Sequence, residues 1–210
     1  MSLIRISPVI KLPPAKLLTL SFAALILAGS LLLWMPWSSN ERGTSYIDAL
    51  FTATSAVCVT GLTVVNTAAH WSLVGKVIIL LLIQAGGLGV MTMATLFAFL
   101  MGKRISLKER ILIQEALGQF TLAGVVRLTR YILLVTMIIE GVGAILLTAR
   151  FAASMPLAKA AWYGVFHAVS AFCNAGFDIF GDSLVRFVSD PVVNMVVTGL
   201  IITGGIGFTV

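Results

Sequence analysis

Apolar stretches of two different lengths alternate along this chain, and that alternation limits what it can fold into. The long ones cover residues 17–35, 73–101, 128–148 and 192–210. A hydrocarbon core about 30 Å thick needs roughly 20 helical residues to cross it, so these read as spans. The last runs to the end of the sequence with no polar flank, which leads to the expectation that the sequence is a fragment cut within or at the end of a helix. The short stretches are Tyr46–Val57 and residues 158–172. A twelve-residue helix reaches only about 18 Å, roughly half the core, so such a segment enters the bilayer and turns back. Each is followed by a small, glycine-containing stretch, residues 58–62 and 173–177. Non-helical backbone at membrane depth survives only where protein or water satisfies its polar groups, so these stretches are expected to line an aqueous path.

Composition agrees. Of the 210 residues, 59% are apolar and only 10% charged, with a mean hydropathy of +1.06; soluble domains average nearer a quarter charged. The net charge of +6 raises the question of nucleic acid. The basic residues, however, sit in short segments between apolar stretches, where the positive-inside rule expects them. If both short segments turn back, Arg5, Lys11 and Lys16 share a side with Lys103, Arg104, Lys108, Arg110, Arg127 and Arg130. Glu41, Asp48, Asp178, Asp182 and Asp190 then fall opposite. A crossing first segment would place the basic loop outside, against the usual bias. The N-terminus is therefore expected to be cytoplasmic. A signal peptide would also begin with basic residues and an apolar run, but residues 17–35 are too long for its apolar region and lack a small-residue cleavage site. Cys58 and Cys173 have no metal-ligand spacing and are expected as buried thiols, with a bridge between them left open.

The chain contains an internal repeat, a feature that takes precedence in fold assignment. Phe51, Ala53, Ser55, Ala56, Cys58 and Gly61 recur 115 residues later as Phe166, Ala168, Ser170, Ala171, Cys173 and Gly176. Further on, Gly86, Gly87 and Gly89 recur as Gly204, Gly205 and Gly207 after a small insertion. The expected units are residues 1–105 and 106–210. Both copies follow basic sequence and so share one orientation, related by an axis along the membrane normal.

Ser45 and Asp48 fit a capping pair opening the first short helix. That helix descends from outside, so its carbonyl end carries partial negative charge toward the bilayer centre, favouring a cation. In the stretches after the short helices, Gly61 and Gly176 can adopt positive φ without a Cβ clash. Successive carbonyls can then face one way and replace an ion's hydration shell.

The segment Thr54-Ser55-Ala56-Val57-Cys58-Val59-Thr60-Gly61-Leu62, the later Ser170-Ala171-Phe172-Cys173-Asn174-Ala175-Gly176-Phe177, and the Gly-Gly-x-Gly spans strongly resemble the Trk/Ktr/HKT superfamily of potassium transporters. The closest likeness is to the KtrB-type membrane subunit, over essentially the whole chain. The resemblance implies an all-α integral membrane fold of tandem helix–pore loop–helix repeats around a pseudo-fourfold pore axis, of which this chain matches the first two of four. It implies potassium uptake across the cytoplasmic membrane, with Val59, Thr60, Gly61, Asn174, Ala175 and Gly176 offering filter backbone to potassium. Potassium is then substrate; no cofactor is implied, and sodium as a stimulator is left open. Implied partners are membrane lipid, a second copy in a homodimer and a cytosolic nucleotide-binding regulatory ring, with no nucleic acid. The third and fourth units, including the family's intramembrane gating loop, have no match here.

Other residues draw attention individually. Glu140 lies inside a span, where an acid is a functional candidate by default; structural pairing or protonation is the competing reading, since the first copy has no counterpart and aligns near Ile26. His167, opposite Thr52, is expected to pack and hydrogen-bond rather than sense protons. His70 with Trp71 reads as an interfacial anchor, and the Gly86 cluster as a close helix contact. Ser106 and Glu109 resemble a capping box opening a cytoplasmic amphipathic helix through Ile111, Leu112 and Leu117, which by family likeness would touch the regulatory ring. A non-conducting membrane scaffold would keep the repeats without binding an ion. An intramembrane enzyme is excluded more firmly, because Cys58, Cys173, His70, His167 and Glu140 form no HExxH, GxSxG or recognisable nucleophile and base pairing.

Overall fold

The computed structural model describes residues 14–40, 43–89 and 125–206, and all its regular elements among these are helical. Helix α1 spans Pro14–Trp34 and gives way to a 3-10 turn at Pro36–Ser38, where proline cannot continue the ladder. Helix α2 is Tyr46–Val57, α3 the single turn Thr67–His70, and α4 Leu73–Gly87. After the undescribed segment come α5 (Val125–Phe151), α6 (Leu157–Phe172), a 3-10 turn at Val185–Phe187, and α7 (Pro191–Ile206).

The starts of these helices follow from local chemistry. Ser45 caps α2 by accepting from the Ile47 N–H at 3.3 Å, one residue short of the box expected with Asp48, which lies in the first turn. Ser72 caps α4 through the Gly75 N–H. Asp190 caps α7, its Oδ1 accepting from Val192 and Val193 at 3.0 and 3.2 Å, while Pro191 takes the first helical position, where a missing N–H costs nothing.

The short helices have the expected extent. Helix α2 ends at Val57 and α6 at Phe172, and each is packed between a preceding and a following helix: α2 with α1 and α4, α6 with α5 and α7. Two apolar cores result. One joins Leu33, Ala53, Val57, Trp71, Ile79 and Ile83; the other joins Leu147, Phe151, Ala168, Phe172, Val193 and Leu200. Helix α4 also packs on α6, tying the two halves together. The outer faces of the helices are apolar too: Leu27, Leu31, Met137, Ile145 and Met195 are exposed. Tyr131–Phe151 is long and apolar enough to cross a membrane, and Leu18–Trp34, Leu73–Gly87 and Pro191–Ile206 are shorter apolar helices.

Two expectations are corrected. Trp71 is fully buried and His70 nearly so, which removes them from the lipid interface. The backbone of Trp71 bridges Ser39, its ring lies in the first core, and His70 Nε2 meets Thr44 Oγ1 at 3.0 Å. Cys58 is exposed rather than buried, because it sits beyond the packed face of α2 at its C-cap, and neither cysteine is bridged. The cytoplasmic capping box at Ser106 and Glu109, the boundary between residues 105 and 106, the later part of the 73–101 span, and Arg5, Lys11, Glu41 and Lys103 lie outside the described residues.

Candidate functional site

At the C-terminal ends of α2 and α6 the chain makes the same turn twice. The Cys58 N–H donates to Thr54 O, Val59 to Ala56 O, and Thr60 to Ser55 O, at 2.8, 3.3 and 2.9 Å. At the second site Cys173 donates to Val169 O, Asn174 to Ala171 O, and Ala175 to Ser170 O, at 2.9, 3.0 and 2.7 Å. Every donor and acceptor corresponds at the 115-residue offset seen in the sequence. Backbone handedness corresponds as well: φ is +57° at Val59 and +73° at Gly61, against +59° at Asn174 and +69° at Gly176.

Glycine explains the third position of each turn, and asparagine tolerates the first position of the second. Valine does not. A β-branched residue in the left-handed region is a genuine outlier, so Val59 is held there by its surroundings. No feature of the sequence announces this, and sequence reasoning missed it.

The two turns meet. A β-carbon on Gly61 would stand 2.5 Å from the Ala175 carbonyl oxygen, and one on Gly176 would lie 3.6 Å from the Gly61 Cα. Of the residues expected to act together, Gly61, Ala175 and Gly176 are thus in direct apposition. Behind them the glycine clusters admit close approach: a β-carbon at Gly86 would collide with the Val57 carbonyl oxygen, and one at Gly204 with that of Phe172. A β-carbon at Gly87 would stand 2.6 Å from Cys173 Sγ. Asn174 Nδ2 donates to Ile201 O at 3.3 Å, fastening the second turn to α7.

Side chains reinforce the turns differently. In the first, Thr60 Oγ1 donates to Ser55 Oγ at 2.9 Å, and the buried Thr52 hydroxyl finds no hydrogen-bond partner among the described residues. In the second, Ser170 Oγ donates to Phe177 O at 2.7 Å. His167, in the position of Thr52, directs Nδ1 at Tyr163 O (2.7 Å) and Nε2 at Asp178 Oδ1 (2.9 Å). Asp178 also accepts from the N–H groups of Phe180, Gly181 and Ser183. Burial works against its charge, but the His167 contact and these N–H groups outweigh it and hold the carboxyl at about 2, below the usual range. His167 therefore packs and hydrogen-bonds as expected, while its partner was legible only as an outside acid.

Glu140 pairs as one of its two readings anticipated. Gln84 Nε2 donates to both carboxylate oxygens at 3.1 and 3.2 Å, and Cys173 Sγ stands 4.0 Å from Oε1. Gln84, which sequence reasoning did not single out, links α4 to α5 beside the second turn. Among the described residues no group of three or more His, Cys, Asp or Glu side chains could hold a metal ion.

The family model TrkH, described as cation transport protein, matches residues 15–210. The chain belongs to the TrkH family. Its membership makes it a membrane protein of a transporter family and not an enzyme. The TrkH-family chain is 47% identical over 201 residues to the potassium/sodium uptake protein NtpJ of Enterococcus hirae, covering 95% of the chain and 45% of that relative. It is 45% identical over 201 residues to the Ktr system potassium uptake protein B of Bacillus subtilis, covering 96% and 45%. The protein of the same name from Vibrio alginolyticus is 43% identical over 195 residues, with 93% and 43% covered. The TrkH-family chain thus spans less than half the length of these curated relatives.

Proposed function

We propose that this chain supplies two pore loops of a potassium-uptake pathway in which residues 58–62 and 173–177 form part of a selectivity filter. The observation that carries the reading is the apposition of Gly61 with Ala175 and Gly176, two turns of equal handedness and equal hydrogen bonding. Alternating left-handed positions bring successive carbonyls to one side, so Val59, Thr60, Gly61, Asn174, Ala175 and Gly176 offer oxygens in place of potassium's water. The C-terminal ends of α2 and α6, whose last carbonyls carry partial negative charge, lie at the same place and add attraction for a cation.

In this reading residues 1–105 and 106–210 are successive helix–pore loop–helix units of a pseudo-fourfold pore, completed by sequence from outside this chain. The basic segments face the cytoplasm. The relatives' names bring potassium as substrate, and the name of NtpJ brings sodium. A homodimer working with a cytosolic nucleotide-binding subunit belongs to the same reading, and the word system in the names of three relatives fits an assembly of more than one component. The test uses the whole-length protein. Gly61→Ser is expected to lower potassium over sodium preference in a flux assay, because its side chain has no room against Ala175 O. An unchanged preference in a folded variant counts against the filter. Potassium-uptake complementation decides against the alternative, a non-conducting scaffold, if the whole-length protein restores growth.

A further inference from the structure

We propose that His167 and Asp178 form a positioning brace behind the second filter stretch, so that cation preference is controlled from one pore loop more than from the other. The proposal rests on the filter reading above. The brace joins the middle of α6 to the second residue after Gly176. His167 is almost wholly buried, and both its ring nitrogens are engaged, so the ring cannot turn without losing a bond. The Phe180 ring lies 4.9 Å from the imidazole at a 33° tilt, and the Phe166 and Phe151 rings pack edge-on at 5.8 and 6.2 Å.

Asp178 is the other anchor. Its two oxygens take three backbone N–H groups besides His167, which fixes the chain as it leaves the filter. Ser170 holds the intervening Phe177 carbonyl. Gly176 is therefore bounded on its C-terminal side by two consecutive tethered residues, Phe177 and Asp178. Other charges nearby are already occupied: Arg186 is paired with Asp182 at 2.7 Å and lies over Phe180, and the Lys159 ammonium sits over the Tyr163 ring at 5.5 Å. Asp178 and His167 are left to each other. A cavity of about 210 Å³ borders His167, Asp178, Asn174 and Gly176.

The first copy lacks the device. Thr52 and Thr63 occupy the positions of His167 and Asp178. Neither is charged, and the Thr52 hydroxyl makes no bond among the described residues. The two stretches thus share backbone form but not support. Breaking the brace releases one wall of the filter, and a loosened ring of oxygens discriminates less well between cations of different size.

The test measures potassium and sodium flux into liposomes holding the whole-length protein with His167→Gln, Asp178→Asn, both together, Gly176→Ala, or Asp182→Asn. Each brace variant is expected to lower potassium over sodium preference roughly tenfold, the scale of losing one hydrogen bond to a charged group. The double variant is expected to be no worse than either single one, and Asp182→Asn to match the parent. A brace acting only in packing lowers the melting temperature and leaves preference unchanged, which overturns the proposal, as do additive effects of the two substitutions. If Gly176→Ala shifts preference and the brace variants do not, the brace alone is wrong. If none of them shifts it, the filter reading fails and the brace with it.

Discussion

Gly86 approaches the carbonyl oxygen of Val57 so closely that a β-carbon would collide with it, and Gly204 stands in the same relation to Phe172. Val57 and Phe172 are the last residues of α2 and α6, so α2 ends against a glycine of α4 and α6 against a glycine of α7. The clash is with backbone, which cannot rotate away. Gly86→Ala is therefore expected to destabilise the protein by about 1–3 kcal/mol through overpacking. Gly141, also within a helix, has nothing within 4 Å of its added β-carbon. Gly141→Ala should be neutral or gain up to about 1 kcal/mol from helix propensity. Melting of the purified protein in detergent compares them, and equal effects would contradict the contact.

Gly61 and Gly176 share a backbone conformation but not a neighbourhood. Alanine at either must accept left-handed φ, at roughly 1–2 kcal/mol. At Gly61 the new methyl also meets the Ala175 carbonyl oxygen at 2.5 Å, while at Gly176 it finds only the Gly61 Cα at 3.6 Å. On the proposed filter reading, Gly61→Ala in the whole-length protein should impair potassium flux by about tenfold more than Gly176→Ala, since a further ~1.4 kcal/mol is a factor of ten. Initial uptake rates at matched protein levels check the order.

Helix α2 was legible as a twelve-residue apolar run, but α6, at 16 residues, matches α7 and exceeds α4 by one, so length alone does not set it apart from the runs read as spans. Tyr46–Val57 could be bounded to the residue, since Ser45 starts it and the glycine-containing stretch stops it. Gly61 and Gly176 were legible for the same reason, since only glycine makes positive φ cheap. Val59 was not, because its left-handed backbone is imposed by neighbours rather than preferred by its side chain. Trp71 was misread: beside a histidine at a helix end it looks like an interfacial anchor, but its backbone bridges Ser39 and its side chain joins a core with Leu33 and Phe166, all distant in sequence. The His167–Asp178 and Gln84–Glu140 pairs close across 11 and 56 residues, and no local pattern specifies such contacts.

Glu140 and Gln84 should behave as a coupled pair. Glu140→Ala leaves the Gln84 amide without its acceptor, and Gln84→Ala leaves the carboxyl group without its donor, each in an apolar surrounding. Interhelical hydrogen bonds in membranes contribute about 0.6 kcal/mol on average and up to about 1.7. A double-mutant cycle on thermal stability should return a coupling energy in that range. A value of zero would mean that the amide and carboxyl groups do not bond in the folded protein.

Asp190 carries two tasks that substitution can separate. Its Oδ1 caps α7 through Val192 and Val193, and its Oδ2 meets Arg150 Nε at 2.6 Å. The arginine side chain is 41% exposed while the aspartate is 7% exposed, so solvent screens the ion pair and its contribution is about 0–1 kcal/mol. The cap is worth about 0.5–2 kcal/mol. Asp190→Asn keeps the capping oxygen and gives up the charge, so it should cost well under half as much as Asp190→Ala, which gives up both. Raising the salt concentration should narrow the gap between the parent and Asp190→Asn while leaving the loss in Asp190→Ala mostly in place. Melting curves at low and high salt measure both. A larger loss in the asparagine variant than in the alanine variant would reverse the assignment and make the ion pair the dominant support for the start of α7.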